Sequence, residues 1–277
     1  MTLALLEGAD APTSPLTVLI LAVLQGLAEF LPISSSGHLV LGRAALGLKE
    51  GGLALDVALH VGTLAAVVLA YRRDVLRLFQ DLFAGRFAMW IWLIVATIPA
   101  AVIGIAFKSL IEEASTKVFV AASGLCVTAV LLLIGESRRP KEAAPVDPDK
   151  PWGDLRLGHA LVMGLFQALA IVPGISRSGS TISSAFLRGI DSVQAARLSF
   201  LMSLPAISGA AILELPDLFE HGVGDLGVGW ILTAMAVSAI VGFLALRTLI
   251  LVLSRGAFRY FAAYCAGLAG VAFWFLN

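Results

Sequence analysis

The chain has 277 residues, of which 59% are hydrophobic and 14% charged, with 19 basic against 19 acidic side chains. A soluble domain is about 45–50% apolar and about 25% charged, so a water-soluble enzyme of this composition would expose an excess of apolar surface. The mean hydropathy of +0.94 excludes a disordered chain, and the zero net charge gives no general attraction to polyanions, so no nucleic acid is expected as a partner.

The first residues, MTLALLEGADAPTSP, carry no basic n-region, so a cleaved signal peptide is not expected. The stretch Pro15–Leu48 that follows is apolar but interrupted by a Pro, Ser and Gly cluster. Each side of the break is too short to cross a bilayer, which takes about 20 residues of helix. Irregular backbone survives at membrane depth only where protein or a wet cavity satisfies it. The stretch is therefore read as a re-entrant helix pair that enters and leaves on one side. Three uninterrupted spans follow, Leu53–Tyr71, Phe87–Phe107 and Lys117–Gly135.

A polar segment, 136–156, holds Pro140, Pro145, Pro148 and Pro151 and reads as a cytoplasmic linker. Beyond it the pattern returns. Leu157–Ile190 is a second broken stretch, and Ala196–Leu215, Val228–Leu251 and Phe258–Leu276 are spans. The loops 71–86, 136–156 and 247–259 are rich in Arg and Lys, whereas 214–225 has acidic residues and no basic one. Basic loops stay in the cytoplasm. The basic loops alternate with the others only if neither broken stretch crosses, which leaves both termini outside the cytoplasm. Cys126 and Cys265 each lie alone in apolar runs, so neither a disulfide framework nor a CxxC metal site is expected.

The two halves match. LQGLAEFLPISSSG (Leu24–Gly37) lies over FQALAIVPGISRSG (Phe166–Gly179) at a constant offset of 142, with seven of fourteen positions identical. A duplication accounts for this, giving a first repeat at 1–135 and a second at 157–277. Three spans per repeat is an odd number, so the second repeat is expected to be inverted. Inverted repeats bring their broken elements together near the midplane, where substrate sites form. The fold class expected is an all-α polytopic membrane protein of two such halves.

The broken stretches carry the polar residues. The first has Gln25, Glu29, Ser34, Ser35, Ser36 and His38; the second has Ser176, Arg177, Ser178 and Thr181. Gln25 and Glu29 share a helix face at i,i+4. An ionised side chain at this depth costs at least about 2.5–3.5 kcal/mol, so Glu29 and Arg177 need partners or a wet cavity. Two helix N-termini, a set of hydroxyls and an arginine fork together suit a phosphate. Taken singly, serines of this kind are caps, a Glu and an Arg are a structural ion pair, and a His is a bonded core residue. Asp56 and His60, a further i,i+4 pair within a span, fit a structural hydrogen bond as well as a place in the site.

At these turns the sequence resembles the bacterial undecaprenyl-diphosphate phosphatase family, also called the bacitracin-resistance proteins. The residues that carry the resemblance are Gln25–His38 (QGLAEFLPISSSGH) and Pro173–Thr181 (PGISRSGST). The family has Glu or Gln where Gln25 stands, and a Gln there weakens any scheme needing two carboxylates. The resemblance implies hydrolysis of undecaprenyl diphosphate to undecaprenyl phosphate and inorganic phosphate in the bacterial plasma membrane. It also implies recycling of the cell-wall carrier lipid and resistance to bacitracin. The partners implied are the polyprenyl diphosphate lipid and membrane lipid, with a homodimer left open.

In this reading Glu29, Ser35, His38 and Arg177 are the catalytic set. Gln25, Ser34, Ser36, Ser176, Ser178 and Thr181 cradle the substrate. Three nucleophiles fit: Ser35 with His38 or Glu29 as base, His38 itself, or a water activated by His38 or Glu29. A divalent cation, Mg or Ca, could bridge Glu29 and the diphosphate, although no dedicated ligand cluster demands one. The rival is a transporter or flippase of a phosphorylated lipid or other anion that uses the same inverted-repeat pocket without breaking a bond.

Overall fold

The computed structural model describes residues 14–48, 53–141, 152–153, 156–221, 226–254, 256 and 258–275. The N-terminal stretch without an n-region and most of the polar linker lie outside the described residues. Among the described residues the chain is all helix and turn, with no strand. Six helices are long and apolar enough to cross a membrane: α3 (Leu53–Ala70), α5 (Ala88–Ala106), α7 (Val118–Arg138), α10 (Ser192–His221), α11 (Gly227–Ser254) and α12 (Phe258–Phe275). They coincide with the six expected spans, though α10 and α11 run longer. Pro99 and Pro205 sit inside α5 and α10. Side chains at Ile91, Ile94, Ile98, Val102 and Ile105 form one exposed stripe along α5, the face a hydrocarbon solvent would cover.

Each broken stretch is a pair of short helices. The first is α1 (Pro15–Phe30) and α2 (Ser35–Ala45); the second is α8 (Leu157–Leu169) and α9 (Arg177–Leu187). At 1.5 Å per residue even the 16-residue α1 reaches only about 24 Å, short of a roughly 30 Å hydrocarbon layer. The break after α1 has a local cause. Pro32 disfavours helical backbone at Leu31, which is extended at φ −61°, ψ 143°. The break after α8 passes through Pro173 and Gly174, whose φ of +90° favours glycine.

Both second arms then start in the same way. The Ser34 hydroxyl accepts from the Gly37 N–H at 3.2 Å, and the Ser176 hydroxyl accepts from the Gly179 N–H at 3.1 Å. These are N-caps, each satisfying one of the unpaired donors of a helix start. Ser34 holds φ +71°, the left-handed region a non-glycine residue avoids, at a cost of about 1–3 kcal/mol.

Packing brings the two turns face to face. α1 lies against α11, α8 against α5, and α9 against α7 and α10. A Cβ added to Gly37 would stand 2.9 Å from the Gly174 Cα, so the two turns meet with no room for a side chain between them. Thr128 of α7 pins the second turn: its hydroxyl donates to the Gly174 carbonyl at 2.7 Å and accepts from the Ser176 N–H at 2.8 Å.

Two further helices lie in segments read from sequence as loops. α6 (Lys108–Ala114) is one exposed pair of turns. α4 (Arg72–Phe83) is amphipathic, burying Leu78 and Asp81 while Leu76, Phe79 and Phe83 are exposed. The end of the linker is fastened to it. The Trp152 indole donates to Asp81 Oδ2 at 2.8 Å, and Arg197 of α10 stacks over the Trp152 ring and pairs with Asp74.

Candidate active site

The site starts from the carboxylate of Glu29, the penultimate residue of α1, which at this depth cannot be left unpaired. Glu29 is 8% exposed. Its Oε2 accepts from the Gln25 amide at 3.0 Å and from the Ser35 hydroxyl at 2.6 Å. Its Oε1 accepts from Arg177 Nη2 at 2.7 Å. This ion pair joins residues 148 apart in sequence and ties the first turn to the second. The other arm of the guanidinium, Nη1, donates to the Ser199 carbonyl at 3.3 Å. The two turns are also bonded directly, Ser178 Oγ donating to the Leu31 carbonyl at 3.3 Å.

Beside this pair opens a cavity of about 360 Å³. One side is polar, with Glu29, Ser34, Ser35, Ser36, His60, Ser176 and Arg177. The other is apolar, with Ile111, Ile171, Ile175 and Ile207 among its residues. The starts of α2 and α9 flank it. Gly37 and Gly179 spend their N–H groups on the caps, which leaves the N–H groups of Ser35, Ser36, Arg177 and Ser178 as donors at the two helix starts. Donors, a guanidinium and partial positive charge from two helix ends give the polar side the chemistry that suits an anion.

Of the ten residues expected from sequence, six line the cavity: Glu29, Ser34, Ser35, Ser36, Ser176 and Arg177. The other four stand behind it. Gln25 is fully buried and bonded to Glu29. Ser178 holds the other turn, and the Thr181 hydroxyl is shared between the Arg177 carbonyl at 2.8 Å and Ser199 Oγ at 2.7 Å. His38 has both ring nitrogens engaged, Nδ1 with the Ser34 carbonyl and Nε2 with the Tyr264 hydroxyl, each at 2.8 Å. A backbone carbonyl only accepts, so Nδ1 carries the proton and Nε2 accepts from tyrosine.

His60, which the sequence left between two readings, lines the cavity. Thr128, Ser199 and Tyr264 escaped the sequence reading altogether. Each is a hydroxyl between two apolar neighbours in an apolar helix, a signal that others such as Ser203 share. No cluster of three or more His, Cys, Asp or Glu side chains that could hold a metal occurs among the described residues. Both Glu29 oxygens already accept from Gln25, Ser35 or Arg177. The donor set present is therefore not that of a resident Mg or Ca site, which takes several oxygens around one ion.

Known proteins match this chain along most of its length. The family model described as bacitracin resistance protein BacA matches residues 18–271. The chain belongs to the BacA family. Within it, the chain is 39% identical over 253 residues to undecaprenyl-diphosphatase 4 of Bacillus thuringiensis subsp. konkukian, covering 91% of this chain and 94% of that one. It is 38% identical over 270 residues to the undecaprenyl-diphosphatase of Rubrobacter xylanophilus, covering 92% and 96%. It is 39% identical over 269 residues to that of Desulfatibacillum aliphaticivorans, covering 90% and 94%. Both turns and every residue of the cavity's polar side, His60 of α3 included, fall inside the BacA match.

Proposed function

We infer that this BacA-family protein is an undecaprenyl-diphosphate phosphatase, releasing inorganic phosphate and undecaprenyl phosphate. It thereby recycles the carrier lipid of the cell wall and confers bacitracin resistance. The observation that carries the reading is the unbroken chain Arg177–Glu29–Ser35 at 2.7 and 2.6 Å on the wall of a cavity polar on one side and apolar on the other. Such a cavity takes a phosphorylated head and the first isoprene units beside it.

Ser35 is the nucleophile favoured by this geometry. Its proton already points to Glu29, the arrangement of a hydroxyl and its base. Ser35 Oγ attacks the terminal phosphorus, Glu29 takes the hydroxyl proton, and the anhydride bond to undecaprenyl phosphate breaks. Arg177 and the helix-start N–H groups hold the charge that develops on the transferred phosphoryl oxygens. Water then hydrolyses the phosphoserine. His38, bonded on both sides and away from the cavity wall, orients the turn through the Ser34 carbonyl. Purified protein given undecaprenyl diphosphate in detergent releases phosphate, and Ser35→Ala abolishes it; an active Ser35→Ala variant would overturn the assignment of the nucleophile.

In this reading the halves are inverted repeats in a bacterial plasma membrane, with both termini outside the cytoplasm. The basic loops and the matching caps of α2 and α9 support it. One observation favours the rival transporter or flippase: two equivalent turns from two halves meet at one anion site. A labelled lipid phosphate that crosses sealed vesicles containing Ser35→Ala protein would support a flippase; failure to cross argues against it.

A further inference from the structure

Hydrolysis through a phosphoserine needs two proton transfers. The first is from Ser35, and Glu29 is bonded for it. The second is from the water that attacks the phosphoserine, at a moment when Glu29 already carries a proton. Gln25, the other polar side chain on that face of α1, has no basic site, because an amide oxygen does not take up a proton near neutrality. His38 has no open nitrogen. One further titratable side chain is on the cavity wall, His60 of α3.

Its chemistry suits the task. His60 Nδ1 lies 2.8 Å from the Asp56 carbonyl, one turn back on α3. That oxygen only accepts, so Nδ1 is the protonated nitrogen of the neutral ring and Nε2 carries the lone pair. Nε2 makes no hydrogen bond to any described residue. The helix turn beneath is fixed as well, since the Asp56 side chain is paired with Arg43 of α2. An imidazole oriented by one bonded nitrogen, in a residue that lines the same cavity as Glu29, Ser35 and Arg177, has the form of a general base.

We propose that His60 is the general base of the second half-reaction. This rests on Ser35 as nucleophile. Water bound between His60 and the phosphoserine attacks phosphorus as His60 Nε2 takes its proton. The Oγ–P bond breaks, and Ser35 Oγ recovers its proton from Glu29. Inorganic phosphate leaves, and His60 returns its proton to solvent. Protons, bonds and charges are then restored for the next turnover.

The test uses full-length protein in detergent and undecaprenyl diphosphate radiolabelled in the terminal phosphate. His60→Asn keeps a side-chain N–H for the Asp56 carbonyl and removes the base. It is expected to release one undecaprenyl phosphate per chain in a burst. Steady-state turnover then falls about 10²-fold, with label trapped on Ser35. His60→Ala should show the same burst, and added imidazole should speed only the second step. The inference is overturned if His60→Asn turns over at the parent rate, or if burst and steady state fall together. It is also overturned if only His60→Ala is impaired and imidazole fails to rescue it, which marks a structural hydrogen bond. If no variant traps label and Ser35→Ala still releases phosphate, the nucleophile assignment itself has failed, a result distinct from the others.

Discussion

Replacing Arg177 by lysine separates charge from geometry. The guanidinium makes two bonds from different nitrogens, to Glu29 Oε1 at 2.7 Å and to the Ser199 carbonyl at 3.3 Å. That fork fixes the group on the cavity wall, and a lysine ammonium has no rigid fork with which to reproduce it. Glu29 still meets a positive charge, so the fold should survive. What goes is one positioned donor to the transferred phosphoryl group, about 10²–10³ in kcat, or about 2.7–4 kcal/mol. Arg177→Met is the contrast. It leaves a carboxylate with 7% side-chain exposure and no counter-charge, which costs about 3–5 kcal/mol of stability. Phosphate release and thermal unfolding, measured on the same detergent preparations, distinguish the two. A lysine variant that melts with the parent and works within a few-fold of its rate would refute the claim that the fork binds the reacting phosphate.

Glu29→Gln keeps hydrogen bonds to Ser35 and Arg177 but removes the base, so kcat should fall about 10²–10⁴-fold with little change in KM; an equal rise in KM would mark a binding role instead. Gly174→Ala places a Cβ 2.0 Å from the Ala121 carbonyl at a φ of +90°. It should lower the melting temperature and abolish phosphate release together. At Asp81, outside the spans, burial works to raise the carboxyl pKa, but the Trp152 indole and Arg86 more than offset it, so the group stays below the ordinary value of 3.8. A depressed carboxyl gives stability that is present above its unfolded pKa and lost as pH falls through the folded one. Trp152→Phe should therefore melt below the parent at neutral pH and converge with it below pH 3.8.

Much of this was legible because a membrane allows few solutions. A backbone that must satisfy itself in lipid makes an apolar run of 20 residues a span and a Pro-Gly-Ser interruption a break, and both patterns can be read by eye. Glu29 and Arg177 stood out because each is expensive alone. The sequence does not carry the three-dimensional register between α1, α2 and α3. His38 and His60 look alike on paper, each in an apolar helix near polar company, yet α2 turns one toward Tyr264 while α3 turns the other to the cavity. α4 does not read as a span because its 12 residues carry charges throughout; Leu78 is buried while Leu76, Phe79 and Phe83 face away from the protein. A search for spans by length alone passes over so short a helix.

The two turns match in sequence, yet the site between them is asymmetric. At the offset of 142, Gln25 meets Gln167, Ser35 meets Arg177 and Glu29 meets Ile171. Had both halves kept the acid, two carboxylates would face one another across a small cavity, and neither would have a counter-charge. Had both kept the arginine, no base would stand beside a hydroxyl. With Glu29 on one turn and Arg177 on the other, the charges cancel only when the turns touch. The bond that lowers the cost of burying each charge thus also holds the guanidinium beside the Glu29–Ser35 pair, the three groups on which the proposed mechanism rests. A change that separates the turns, such as a side chain at Gly37, whose Cβ would stand 2.9 Å from the Gly174 Cα, should lose stability and catalysis in proportion rather than one without the other.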